Sequence, residues 1–116
     1  MPDPKTLLPL PTATFHILMA LAEGDRHGYA IIQGVAERTH GAMKLGAGTL
    51  YRSLQRMIDQ GLVRETDTRP AAKDDDERRR YYRLSKLGRA VAMAEARRLE
   101  RLLGDARATG LLPRRV

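Results

Sequence analysis

The stretch "GAGTLYRSLQRMIDQGLV", residues 46–63, decides the fold. Leu50, Leu54, Met57 and Ile58 stand at i, i+4, i+7 and i+8, which is one face of a helix. Tyr51, Arg52, Gln55 and Arg56 take the other positions and should point outward. Thr49 stands where an N-cap belongs, because its hydroxyl can accept a free N–H of the first turn. Gly61 closes the helix, since glycine enters the left-handed conformation of a helix C′ position without a Cβ penalty. The result is a helix with an apolar underside and a polar, basic upper side.

Downstream the period changes from helical to alternating. "LVRETDT", residues 62–68, is short and rich in β-branched residues and reads as a strand. "RPAAKDDDE", residues 69–77, is polar and turn-rich and reads as a loop. "RRRYYRL", residues 78–84, is the returning strand. Alternation puts Arg80, Tyr82 and Leu84 on one face and Arg79, Tyr81 and Arg83 on the other. Tyr82 and Leu84 are expected in the core. The acids Asp74 to Glu77 lack the spaced ligands and turn glycine of a calcium loop, so they read as a solvated loop tip. Ser85 then caps a helix over residues 86–107, with Gly88 a weak point near its start. Its apolar residues, among them Leu87, Val91, Ala94, Leu99, Leu102 and Leu103, cover more surface than a small body hides, although Arg98 interrupts the stripe. That favours pairing with a second copy. The alternative is that the helix folds back on its own core.

Upstream, "TATFHILMALAEG", residues 12–24, places Phe15, Leu18, Met19 and Ala22 at helical spacing, widened by Ile17 and Leu21. A helix so apolar all round should be central. Thr12 or Thr14 is its expected cap, and Gly24 its end. "DRHGYAIIQGVAERTHG", residues 25–41, groups Ile31, Ile32, Val35 and Ala36 on one face and ends at Gly41. Gly34 lowers helix propensity by about 1 kcal/mol relative to Ala, which suggests close packing against a neighbour there, the alternative being a tolerated weak spot. Pro2, Pro4, Pro9 and Pro11 make the N-terminal residues extended, with Leu7, Leu8 and Leu10 free to dock on the body.

The bulk composition narrows the function. The chain has 116 residues, enough for one domain, no cysteine, and a net charge of +7. Residues 1–43 carry three basic and four acidic side chains, residues 44–84 ten and seven, and residues 85–116 eight and three. The positive excess therefore lies beyond the first helices, where a polyanion would be met. No apolar run approaches a membrane span, the N-terminus lacks a signal-peptide pattern, and the absence of cysteine fits a cytoplasmic location. His16, His27 and His40 have no metal-ligand spacing, and His16 reads as a satisfied core histidine. No catalytic constellation is present. Neither enzymatic activity, a metal nor a cofactor is expected.

The order helix, helix, helix, strand, loop, strand, helix is that of a winged helix-turn-helix, mainly α with a small β-hairpin. Residues 1–84 would form a DNA-binding domain and residues 85–116 a C-terminal dimerisation helix and tail. Three stretches also resemble the PadR family of transcriptional regulators. They are "LMALAEGDRHGYAI" at 18–31, "GAGTLYRSLQRMIDQGLV" at 46–63 and "RRRYYRLSKLG" at 78–88. Ser85 replaces the family's usual Thr and keeps a capping hydroxyl. Arg52 stands where many members have Pro. The resemblance implies a homodimeric repressor of double-stranded DNA whose C-terminal helices pair the subunits. It also implies that a small aromatic or drug-like effector can release the DNA. With no tryptophan and 4% aromatic residues, the chain has little from which to build a flat aromatic pocket.

A helix in the major groove reads bases from its N-terminal part, and Arg and Gln make bidentate base contacts. Thr49 and Tyr51 are accordingly expected on phosphate, Arg52 and Gln55 on base edges, and Arg56 beside them. Lys44, in the preceding turn, is a further phosphate contact. So is Tyr29, at a helix start that itself favours an anion. Lys73, Arg78, Arg79 and Arg80 flank the wing, where arginine suits the minor groove or backbone. Other readings are that Tyr51 packs at the hairpin root, that Tyr29 is partly buried, and that Arg56 pairs with Asp59. The rival functions are a protein-interaction module on the same fold and a small-molecule binding protein without DNA contact.

Overall fold

The computed structural model of the protein describes residues 2–66 and 80–114. Four helices, α1 (Thr12–Ala22), α2 (Gly28–Arg38), α3 (Ala47–Asp59) and α4 (Lys86–Ala108), surround a sheet of β1 (Arg26–His27), β2 (Val63–Thr66) and β3 (Tyr81–Leu84). The acids at 74–77 and the wing residues Lys73, Arg78 and Arg79 lie outside the described residues.

In α3, Leu50, Leu54 and Met57 are buried as their spacing predicts. The helix starts earlier than expected. Gly46 is its N-cap, with no capping side chain, and the carbonyl of Gly46 accepts the N–H of Leu50 at 2.9 Å. Thr49 therefore sits inside the first turn. Gly61 ends the helix at φ +80°, where the N–H of Leu62 closes back on the carbonyl of Met57 at 2.9 Å. This turn sends the chain directly into β2.

The sheet has a third strand that the alternation did not announce. β3 is central, with β2 on one side and the two-residue β1 on the other, all antiparallel. The second face of β3, at Tyr81, is consequently covered as well. Tyr81 and Tyr82 are both buried, and the His27 ring meets Tyr81 edge-on, with centroids 5.4 Å apart. Two residues are too few for a period, so β1 carried no sequence signal.

α1 is central, but its buried residues are Thr14, Ile17, Leu18, Ala20 and Leu21. Phe15 and Met19 are only partly covered and Ala22 is exposed. Neither threonine caps it. Pro11 holds the N-cap position, and its carbonyl accepts from Phe15 at 3.1 Å. The N-terminal residues are not wholly extended either: Pro4–Leu7 form one 3-10 turn started by Asp3. Leu7, Leu8 and Leu10 pack against the core as expected. Gly34 has no neighbour within 4 Å of a built Cβ, so the packing expected there is absent. Among the described residues the buried Nδ1 of His16 has no hydrogen-bond partner, which differs from the satisfied core histidine expected.

Ser85 caps α4 as expected, its hydroxyl accepting from Gly88 at 2.9 Å and donating to the carbonyl of Gly61 at 2.6 Å. Gly88 is there for room. A Cβ would collide with the Leu62 carbonyl oxygen and lie 2.8 Å from Leu84 Cδ1. This close crossing turns the next residues inward. Val91 is fully buried and Leu87 packs against the core, so these two close the chain's own core and are not free to face a second copy. Farther along, Leu102 and Leu103 are 55% and 44% exposed.

One buried charge ties the N-terminal residues to this helix. The Glu95 carboxylate, 2% exposed, accepts the N–H of Leu10 at 3.0 Å and pairs with Arg98 at 2.5 and 3.2 Å. Arg98, which seemed to interrupt an apolar stripe, is the partner that makes this burial tolerable. Hydrogen bonding from Arg98 holds the Glu95 carboxyl below the usual carboxylate range, against the opposing effect of burial.

Candidate nucleic-acid interface

With its inner face locked in the core, α3 presents Thr49, Tyr51, Arg52, Gln55 and Arg56 to solvent. Lys44 is exposed in the turn before it. The first turn, Ala47-Gly48-Thr49, is built of small exposed residues. The structure brings these six side-chain candidates to one surface.

Two of them are held along the helix. Arg52 folds back toward the N-terminus, with Nη2 3.5 Å from Thr49 Oγ1 and Nη1 3.2 Å from where a Cβ of Gly48 would stand. Gln55 Nε2 donates to Asp59 Oδ1 at 3.0 Å. Asp59 is thus engaged by Gln55, and among the described residues it forms no ion pair with Arg56. The Gln55 bond leaves the amide oxygen and the second N–H available for a partner.

Tyr29 is 58% exposed at the start of α2. Tyr51 is 48% exposed. The hydroxyl end of its ring lies against Gly28, the first residue of α2, next to His27, which pairs with Tyr81 in the sheet. The first turn of α2 is fixed from below. His27 is its N-cap, and its Nδ1 accepts the N–H of Ala30 at 3.1 Å. An imidazole in this role requires a lone pair on Nδ1. His27 and Gly28 were not singled out by spacing, because a cap and a close approach leave no periodic trace.

At the wing root, Arg80 is exposed and lies 3.6 Å from Glu65 across the strand pair. Arg64 and Arg83 face each other in the β2–β3 register, an unfavourable like-charge pair. Asp25, in the turn before β1, answers both. Hydrogen bonding from Arg83 holds its carboxyl below the usual range, with Arg83 and Arg64 adding electrostatic support against the effect of burial.

Comparison with known proteins follows the same lines. The sequence model of the transcriptional regulator PadR-like family matches residues 17–94. The chain is 32% identical over 74 residues to an uncharacterized protein of Lysinibacillus sphaericus, covering 64% of this chain and 65% of that one. It is 36% identical over 88 residues to an uncharacterized 37.1 kDa transposon protein of Streptomyces fradiae, covering 76% and 23%. The chain thus spans less than two thirds of the length of these relatives. Its fold superposes on a PadR family transcription regulator from hypervirulent Clostridium difficile with TM-score 0.69 at 22% identity, over 88% of this chain and 100% of that one. A transcriptional regulator from Clostridium thermocellum gives 0.68 at 23%, over 83% and 87%. Bacillus subtilis PadR in complex with operator DNA gives 0.60 at 19%, over 72% and 46%. At these identities the structural likeness speaks for the winged-helix fold.

Proposed function

Because the chain belongs to the PadR-like family of transcriptional regulators, we propose that it is a cytoplasmic homodimeric repressor that binds a short palindromic operator and releases it to a small effector. The observation that carries this reading is the face of α3: its underside is locked in the core, while Tyr51, Arg52, Gln55 and Arg56 stand free of it. Two such helices in a dimer enter successive major grooves about 34 Å apart. Arg52 and Gln55 read base edges, and Lys44, Thr49, Tyr51 and Tyr29 hold phosphates. Arg56 lies beside them, and Lys73 and Arg78 to Arg80 follow the backbone from the wing.

The pairing surface is the outer half of α4, where Leu99, Leu102 and Leu103 follow Ala94 away from the core. The exposed leucines support this, because a solvent-facing pair of large apolar residues on a long helix favours a cover. A mostly apolar groove of about 190 Å³ between α1, α4 and Leu84 of β3, walled by Phe15, Met19, Ala92 and Met93 with Arg89 beside them, supports a small effector. The complex of Bacillus subtilis PadR with operator DNA supports the DNA assignment.

Selection of bound duplexes from random DNA, repeated at two salt concentrations, tests the reading. A palindrome with half-sites about one helical turn apart, and affinity that falls steeply with salt, are expected. No enrichment, with a flat salt response, would remove DNA as the partner.

A further inference from the structure

Gly28 opens α2 at the place where α3 passes it. A Cβ built on Gly28 collides with the hydroxyl oxygen of Tyr51 and lies 2.9 Å from its Cζ and 3.2 Å from its Cε1. The three nearest atoms all belong to this one side chain. The φ of Gly28 is not positive, so the position needs no special backbone freedom. Glycine supplies room there. Gly34, later on the same helix, has open space around it, so proximity to Tyr51 is particular to Gly28.

The backbone beneath the Tyr51 ring is tied to its neighbours. His27 caps the first turn through Ala30, and the His27 ring is braced edge-on against buried Tyr81. Tyr51 nevertheless remains 48% exposed. The hydroxyl end of the ring sits against Gly28, while about half of the side chain is open to solvent. A side chain held before binding does not incur the ordering loss that a free one incurs on binding.

We infer that Gly28 is a positioning residue whose missing side chain forms the seat that aims the Tyr51 hydroxyl. The inference rests on the proposed function, in which that hydroxyl meets a DNA phosphate. Gly28 touches no ligand; it acts through Tyr51.

The experiment is a double-mutant cycle read as affinity for a mixed-sequence DNA duplex of fixed length, because phosphate contacts are made on any sequence. Tyr51→Phe should weaken binding by about tenfold, the size expected of one hydrogen bond to a charged group. Gly28→Ala should weaken it by a similar factor. In a Tyr51→Ala background, Gly28→Ala should change affinity by less than about twofold. An equal loss in both backgrounds overturns the inference, as does full affinity in Gly28→Ala when Tyr51→Phe is weakened. If Gly28→Ala fails to fold, adding Tyr51→Ala must restore folding; failure to restore it overturns the inference as well. A wild-type protein that does not bind the duplex overturns the proposed function and this role together, whereas binding with an additive cycle overturns only the role of Gly28.

Discussion

Arg83 in β3 holds Asp25 in the turn before β1 with three hydrogen bonds, from Nε at 3.0 and 3.2 Å and from Nη2 at 2.7 Å. Arg64 stands opposite Arg83 in the sheet. Asp25 therefore ties the sheet to the entry of α2 and also relieves a like-charge pair that the strand register imposes.

Asp25→Asn should lower the melting temperature at pH 7 by about 5 °C. The carboxyl titrates below its usual 3.8 in the folded chain. Its contribution is complete above that value and is lost as the pH falls through the lower folded one. Thermal melts of the wild type and Asp25→Asn should therefore differ at neutral pH and converge in strong acid. A difference that persists there would mean that packing, and not charge, sets the effect.

Glu95→Ala should destabilise the chain by about 2 kcal/mol, since the N–H of Leu10 loses its acceptor in a covered site. Glu95→Gln keeps an oxygen for that N–H and should lose less. Hydrogen exchange at Leu10 checks the assignment: exchange should accelerate strongly in Glu95→Ala, well beyond the change at core amides of α3. The Glu95 carboxyl also titrates below its usual 4.5, so this contribution too is present above that pH and fades in acid below it.

The paired substitutions Leu102→Asp and Leu103→Asp should convert a dimer to a folded monomer, with the dissociation constant raised by about a hundredfold or more. Sedimentation gives the state and circular dichroism the fold. Val91→Asp is the contrasting change, and it should unfold the chain, because Val91 lies in the protein's own core.

Arg52→Ala should weaken binding to a selected operator by about tenfold or more, the value of a bidentate base contact. Its effect on mixed-sequence DNA should be about twofold. Titrations on both duplexes decide the matter. Equal losses would make Arg52 a phosphate contact.

The parts of the fold that repeat were legible in the sequence. The inner face of α3, the hairpin strands and the Ser85 cap each follow from a period or a local rule. What was illegible depended on single contacts between distant residues. Close packing was expected at Gly34 and is found at Gly28 and Gly88, because a helical glycine shows only that room exists and not which neighbour uses it. The α4 leucines and valine looked alike in composition, yet Gly88 turns Val91 inward while Leu102 lies beyond the body. The exposed face of α3 was legible because its residues share one helix. The tie from Asp25 to Arg83 spans 58 positions and has no local trace.

The joint at Ser85 has a mechanical consequence. Ser85 is bonded to Gly61 through its hydroxyl and to Leu62 through its N–H at 3.0 Å, while Gly88 lets the first turn of α4 rest on the same Leu62 carbonyl. Gly61 and Leu62 are the residues that end α3. These contacts join the start of α4 directly to the turn that follows α3. In a pair of chains, the splay of the two α4 levers would dictate the pitch at which the two α3 helices face outward.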